Sequence, residues 1–497
     1  MKGATRWCAT LGLCALGLCA CVGPNFHRQA PPRVERYTTE PLPPETASAQ
    51  GPGGAAQRFL AERDVPRNWW TRFGSEELDD LVTEALRANP SVQAAMAALR
   101  QAEENTAAQR GSYFPAVQAE FDASRQRDPI GVLSPNLTSG VALYNLYTPQ
   151  VTVSYVPDVF GANRRQVESL AALAEASLFQ LDATYLTLTA NVVTTAIQES
   201  GLRAEIAATE RVIALEREAL SVLRRELELG AIAEVDVFAQ EAALAQLEAS
   251  LPPLHRQLET ARDSLAALTG HLPADFKPVR FELDQLLLPA DLPLGVPSQL
   301  VERRPDVRAA EAQLHAATAQ VGVAIASLLP QVTITGNIGS SATAMGDLFK
   351  SGTGFWSAGA SLTQTLFAGG TLIHRKRAAD AALDQAGALY RSAVLTAFQN
   401  VADALHALDT DADALSAAAR AESAAQKSLD VVRHQLELGS VSYLALVNAE
   451  QTYQQALISS VQARANRYAD TAALFQALGG SITPTHSSEV PSAAPIP

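Results

Sequence analysis

Two stretches of this chain carry the same element twice. Asn89-Pro90-Ser91-Val92-Gln93-Ala94 runs on through Leu99 and Ala102 to Ser112, Phe114, Pro115 and Val117. Arg304-Pro305-Asp306-Val307-Arg308-Ala309 runs on through Leu314 and Ala317 to Ser327, Leu329, Pro330 and Val332, position for position at one constant offset. A further pair, Leu227-Glu228-Leu229-Gly230 and Leu436-Glu437-Leu438-Gly439, repeats at a slightly shorter offset. The chain therefore reads as a tandem duplication with unequal loops, and a two-copy chain favours a symmetric assembly.

The start of the chain narrows where such an assembly works. Met1 to Arg6 is basic and free of acids, and Leu11 to Ala20 is an apolar run too short to span a bilayer. It ends in Leu18-Cys19-Ala20-Cys21, which matches the lipobox of bacterial lipoproteins, so 1–20 is read as a signal peptide and Cys21 as the site of lipid attachment. The other reading is an ordinary signal peptide with an incidental cysteine. Cys8, Cys14 and Cys19 lie upstream, so cleavage leaves Cys21 as the single cysteine and no disulfide framework can form. Val22 stands where an aspartate would signal retention at the inner membrane, which favours the outer one. A net charge of −14 argues against nucleic acid as a partner, since phosphates demand a basic face.

Residues 158–251 and 331–483 contain no proline and are rich in alanine, as long helices require. Ile206, Ile213, Leu220 and Leu227 fall seven apart, with Leu202 and Leu223 interleaved. Leu244, Leu247, Leu251, Leu254, Leu258, Ala261, Leu265 and Leu268 alternate steps of three and four, the spacing of a coiled-coil seam. Pro252-Pro253 predicts a kink or break in it. One helix from about Gly161 to Leu229, and its counterpart from about Gly370 to Leu438, would each be roughly 100 Å long at a rise of about 1.5 Å per residue. Helices of that length suggest a rod or a tunnel wall.

Between the helices lie four strand-like segments, two per copy: 116–125, 147–155, 332–338 and 355–362. They alternate apolar and polar residues, have the length of a strand tilted across a bilayer, and collect aromatics such as Phe121, Tyr147, Tyr155 and Trp356. Alternation alone also suits two soluble hairpins. If the segments are membrane strands, four cannot close a barrel in lipid, where every backbone group must be paired. Three chains would supply twelve, wide enough to enclose a pore.

The chain resembles the outer-membrane factors, the TolC-like channels, and within them the lipoprotein branch called the NodT type. The resemblance rests on Trp69-Trp70-Thr71-Arg72-Phe73 with Leu78 and Leu81, Ala88-Asn89-Pro90, Tyr113-Phe114-Pro115, and Asp158-Val159-Phe160-Gly161. It continues in Leu366-Phe367-Ala368-Gly369-Gly370 and in Gly439-Ser440-Val441-Ser442-Tyr443-Leu444. The fold it implies is an α+β membrane protein: a trimeric twelve-stranded outer-membrane β-barrel, four strands per chain, continued by an α-helical coiled-coil tunnel in the periplasm. The function it implies is the passive outer-membrane duct of a tripartite efflux system for drugs or other small toxic compounds. Its partners would be two further copies of itself, outer-membrane lipid, a periplasmic adaptor and an inner-membrane pump, commonly of the resistance-nodulation-division class. The resemblance also places Gly230 and Ala231, and Gly439, Ser440 and Val441, at periplasmic turns that meet the adaptor. Glycine suits such turns in any case, because it accepts φ > 0 after a helix. A helix cap with no partner is the plainer reading. In the family, acidic residues at these tips line a constriction; Asp236 matches that pattern, Ala445 departs from it in the second copy, and Asn448 stands where another acid is common.

No Walker sequence, zinc-binding His-Glu-x-x-His or Gly-x-Ser-x-Gly elbow occurs, so neither an enzyme nor a cofactor is expected beyond the covalent lipid on Cys21. The rival readings are a periplasmic adaptor, a structural coiled-coil lipoprotein, and the outer-membrane component of a type I protein secretion system. The expected organisation is a signal peptide (1–20), a lipid-anchored extended segment (21–68), a first repeat (69–270), a linker (271–295), a second repeat (296–480) and a disordered tail (481–497).

Overall fold

The computed structural model describes residues 22–61, 65–127, 143–277 and 281–479. The signal peptide, Cys21 and the tail after 480 lie outside the described residues. In chain order the elements are β1 (Arg58–Ala61), a 3-10 turn (Trp69–Phe73), α1 (Glu76–Ala88), α2 (Pro90–Arg110), β2 (Ala116–Arg127) and β3 (Leu143–Tyr155). Next come α3 (Ala162–Glu228), α4 (Glu234–Glu248), α5 (Leu251–Leu268), β4 (Asp291–Leu294), α6 (Pro297–Arg303) and α7 (Pro305–Ala326). The chain ends with β5 (Gln331–Ser340), β6 (Gly354–Thr363), α8 (Thr371–Glu437) and α9 (Tyr443–Ala477). The order α2-β2-β3-α3 thus recurs as α7-β5-β6-α8, and α3 and α8 are each 67 residues long. The chain divides into two compact units, whose boundaries fall inside α2, α3, α7 and α8.

The first unit, built from 22–28, 99–176 and 311–389, holds an antiparallel sheet in the order β2-β3-β5-β6. Its register sorts the two faces. Val117↔Val153, Ala119↔Val151 and Phe121↔Pro149 continue as Val151↔Ile338, Tyr155↔Ile334, Ile338↔Trp356, Ile334↔Ala360 and Val332↔Leu362, all on one side. The intervening residues, Gln118, Glu120, Asp122, Thr148, Gln150, Thr152, Thr333, Thr335, Asn337, Ser357 and Ser361, form the other, where Leu146 and Phe355 are apolar exceptions. Pairs across the polar side bond directly: Gln150 Nε2 donates to Glu120 Oε2 at 3.0 Å and Ser357 Oγ to Asn337 Oδ1 at 2.7 Å. Each of the four strands extends a little beyond its sequence-predicted segment.

The second unit, built from 29–98, 177–310 and 390–479 of the described residues, is helical around an aromatic core. Trp69 stacks on Phe475 with ring centres 5.3 Å apart, and Phe73 lies 6.3 Å from Tyr468. The expected seam is present: Val212, Ile213, Leu220 and Leu223 of α3 pack on Val237, Leu244 and Leu247 of α4, while Leu202 and Ile206 pack on Leu258 and Ala261 of α5. The break before Pro252-Pro253 falls at Ala249-Ser250, so both prolines sit in the first turn of α5, where a missing N–H costs nothing. In α9 no proline intervenes, and the matching helix runs unbroken.

Six strands are present among the described residues where the sequence predicts four. The extra two form a small parallel pair, from Arg58↔Asp291 to Ala61↔Leu294, inside the segments expected to be an extended arm and a linker. Each is four residues long and β4 contains Pro293, so neither offers an alternation to read.

Candidate functional site

The long helices of the second unit end in two turns of identical construction. Gly230 has φ 71° and Gly439 φ 67°. The N–H of Ala231 donates to Glu226 O at 2.9 Å and that of Gly230 to Leu227 O at 2.9 Å; Ser440 to Gln435 and Gly439 to Leu436 repeat both bonds at the same distances. This is the Schellman ending, which satisfies the last carbonyls of a helix and needs a left-handed residue. A Cβ built on either glycine would meet nothing within 4 Å among the described residues, so conformation and not crowding requires glycine there. Apolar side chains flank both turns in matching positions and are bare: Leu229 is 73% exposed and Leu438 70%, Val235 68% and Leu444 55%.

The helices that follow begin differently. Asp236 Oδ2 accepts from the N–H of Ala233 at 3.3 Å, closing the first turn of α4 as half of a capping box. Ala445 cannot do this for α9, whose N-cap Ser442 makes no side-chain cap bond. Asn448 is exposed one turn further on. Tyr443, at the start of α9, packs against the α3–α4 core, which brings the second turn's helix onto the first hairpin.

Just behind the turns lies a polar cluster that the sequence barely announces. Glu216 of α3, Gln240 of α4 and Glu450 of α9 are 2%, 0% and 6% exposed. Gln240 Nε2 donates to Glu216 Oε2, and Arg433 of α8 donates to Glu450 Oε1 at 3.2 Å. Burial, and then the neighbouring Glu450, push the Glu216 carboxyl up to about 7. The signal in the sequence is faint: Glu216 occupies an inward position within the heptad seam, where an acid is out of character.

In the first unit the residues next to Cys21 are held firmly. Arg165, in the first turn of α3, donates from Nη2 to Asn25 Oδ1 at 2.6 Å, from Nε to Val22 O at 3.3 Å, and from Nη1 to Glu168 Oε2 at 2.7 Å. Phe26 stacks on His315 at 4.4 Å, and Arg28 pairs with Glu311 at 2.9 Å. Gly23 approaches Gly322 so closely that a Cβ on Gly23 would lie 2.5 Å from the Gly322 Cα. Asp158 caps α3 by accepting from Asn163 N–H at 2.9 Å and Arg164 N–H at 2.8 Å, and Gly161, at φ 79°, makes the corner between strand and helix.

Among the described residues the apolar side of the sheet is largely exposed. Trp356 is 76% exposed, Leu362 69% and Ile338 64%, and the outer edges of β2 and β6 have no strand partner among the described residues. No described helix is long and apolar enough to cross a membrane.

The family model for outer membrane efflux proteins matches residues 81–271 and again 296–480. The chain is 30% identical over 453 residues to the probable efflux pump outer membrane protein TtgC of Pseudomonas putida, covering 90% of this chain and 92% of that one. It is 28% identical over 471 residues to outer membrane protein OprJ of Pseudomonas aeruginosa, covering 94% of each. Among solved structures it superposes on the outer-membrane channel OprN with a TM-score of 0.81 at 28% identity, over 93% of this chain and 100% of that one.

Proposed function

The chain belongs to the outer membrane efflux protein family, and on that premise we infer that it is the outer-membrane channel through which an efflux system discharges its cargo. The observation that carries this reading is the sheet: one face apolar and largely exposed except near the loop end of β2 and β3, where Arg125, Asn145 and Arg127 lie, the other mostly polar, with both edges open among the described residues. In water such a face would be costly, whereas in lipid it is what a barrel strand presents. Open edges have no place in lipid, so the sheet must be completed by other chains. Three copies of the four-stranded sheet make a twelve-stranded barrel with the polar face turned inward as the lining of a duct. The long α3 and α8 helices, with α4, α5 and α9, would continue it as a periplasmic tunnel.

The paired order of elements supports a duplicated chain with repeats at 69–270 and 296–480, so that three chains present six similar units around one pore. The two Schellman turns, with open glycine backbone and bare leucines, are suited to receive a periplasmic adaptor at Gly230-Ala231 and Gly439-Ser440-Val441. The adaptor would link the duct to an inner-membrane pump of the resistance-nodulation-division type. Asp236 and Asn448 are assigned to the narrow end, although the cap bond of Asp236 gives that residue a task within its own helix. Tethering of 22–28 against α3 and α7 suits a chain whose preceding residue, Cys21, is lipidated. The duct itself performs no chemistry and needs no cofactor. Relatives are named for export of pyoverdine, antibiotics and toluene, which favours small molecules over secreted proteins as the cargo.

Cysteines at Gln118 and Ser361, on the outer edges β2 and β6, test the assembly. Oxidation in outer membranes should give covalent dimers and trimers, and the purified protein should form pores in planar bilayers. Monomers alone, with no conductance, would refute the reading.

A further inference from the structure

The ion pair beneath the second turn has a twin. Under the offset that relates Gly230 to Gly439, Arg433 and Glu450 correspond to Arg224 and Glu241, which also bond, Arg224 Nη2 donating to Glu241 Oε1 at 2.7 Å. The first pair lies at the surface. In the second Glu450 is covered while Arg433 stays 38% exposed, and the pair has company: Glu216 reaches it from α3 and Gln240 from α4, where the other copy has Ala425 and Ala449. One guanidinium therefore serves two buried carboxylates, and ionising both would leave a net negative charge out of contact with water. Acceptors also outnumber donors. Gln240 Oε1, Glu450 Oε2 and the Tyr443 hydroxyl are buried without a partner among the described residues. An added proton corrects both defects, because a protonated carboxyl is neutral and brings an O–H donor.

We propose that Glu216 and Glu450 form a proton-binding site in which the two carboxyls hold one proton between them, and that losing it loosens α9 from the α3–α4 hairpin beside the two helical turns. The groups facing Glu216 are Gln240 from α4, Arg433 from α8 and Glu450 from α9; Tyr443 stands beside the acids, with Glu226 of α3 acting on it in turn. Of these Glu450 favours protonation, while the hydrogen bond from Gln240 and the charge of Arg433 oppose it. With the Glu216 carboxyl raised to about 7 from 4.5, the folded chain binds more protons than the unfolded one between those values. The stabilisation is complete below the lower value and is lost as pH rises through the upper one. The site therefore tightens the packing in acid and releases it towards alkaline pH. Its bearing on opening of the duct rests on the channel reading above; proton binding itself does not.

The full-length protein in detergent gives the test. Infrared difference spectra between the wild type and Glu216→Gln, a substitution that imitates the protonated state in shape, should show one protonated carboxyl that titrates near neutrality; the Asp470 carboxyl, also raised to about 7, is common to both proteins and cancels. Glu450→Gln should move the titration to lower pH. Arg433→Gln should move it upward, with proton binding about tenfold tighter or more. Amide exchange of residues 443–450, corrected for its intrinsic pH dependence, should accelerate above the midpoint in the wild type and not in Glu216→Gln. Absence of the acid band, or a midpoint in the ordinary glutamate range, overturns the site; a titrating band with unchanged exchange overturns the loosening. Failure to conduct in bilayers at every pH, with the infrared result intact, would instead strike the channel reading.

Discussion

Asn89 and Arg304 stand before equivalent prolines and seal equivalent helix ends with different chemistry. Both have extended backbone, φ −64°, ψ 125° and φ −68°, ψ 122°, as a residue before proline must. Asn89 Nδ2 donates to Leu268 O at 2.8 Å, the last carbonyl of α5, and Arg304 Nη1 donates to Ala477 O at 2.8 Å, the last carbonyl of α9. Beyond each lies a left-handed glycine, Gly270 or Gly479, packed against the partner segment too closely for a Cβ. The two halves thus share a joint whose geometry is common and whose side chains are not.

That joint predicts the effect of cutting it. Arg304→Ala removes bonds to Ala477 and Ala397 from a buried position and should cost about 2–3 kcal/mol, with Asn89→Ala costing about 1–2 kcal/mol. Thermal unfolding of the purified protein measures both. Equal, negligible shifts would mean the prolines alone fix the joint.

The glycine turns separate stability from docking. Gly230→Ala and Gly439→Ala force a Cβ into φ near 70° and should each cost about 1 kcal/mol. Leu229→Ser and Leu438→Ser leave the backbone free and should spare unfolding while weakening capture of the adaptor in a binding assay.

Asp236→Ala should lose a helix cap worth roughly 0.5–1 kcal/mol, and Ala445→Asp should gain one. If Asp236 also narrows the tip, its removal will raise single-channel conductance and antibiotic leakage, whereas Ala445→Asp will lower them. Unchanged conductance in both would leave Asp236 as a cap alone.

A second acidic pair makes a separate prediction about pH. Burial, with Asp411 beside it, pushes the Asp470 carboxyl up to about 7. Since its folded value lies above its unfolded one, stability gained from this group is present in acid and lost as pH rises towards neutrality and beyond. Unfolding temperatures of the wild type and Asp470→Asn, compared from about pH 5 to about pH 8, should converge at low pH and separate at high pH, with the variant the more stable.

Charge on the sheet reads out its orientation. Ala360→Lys, on the apolar face, should cost about 2–4 kcal/mol in lipid and reduce assembled protein in outer membranes. Ser361→Lys, its neighbour on the polar face, should assemble normally and change ion preference.

Much of this was legible in the residues, and the exceptions are instructive. The seam from Leu202 to Leu268, the turns at Gly230 and Gly439 and the four alternating strands all follow from local periodicity and turn chemistry, and all stand where the sequence predicts. What stayed hidden depends on contacts across hundreds of positions. β1 and β4 are strands only because each has the other. Arg165 looks like any charge at a helix start until Asn25 and Val22 fold onto it. Glu216 gains its character from burial and then from Glu450, which no spacing connects to it.

The bare apolar face has a consequence for biogenesis. A newly exported chain whose sheet is oily on one side and open along both edges has no safe resting place, either dissolved or inserted by itself. Exposed strand edges of that kind seek any partner, and in a crowded envelope the wrong one leads to precipitation. Maturation must then be a race between correct encounter and aggregation, steeply dependent on local concentration. An early lipid tether at the membrane would tilt that race by confining the competitors to a plane.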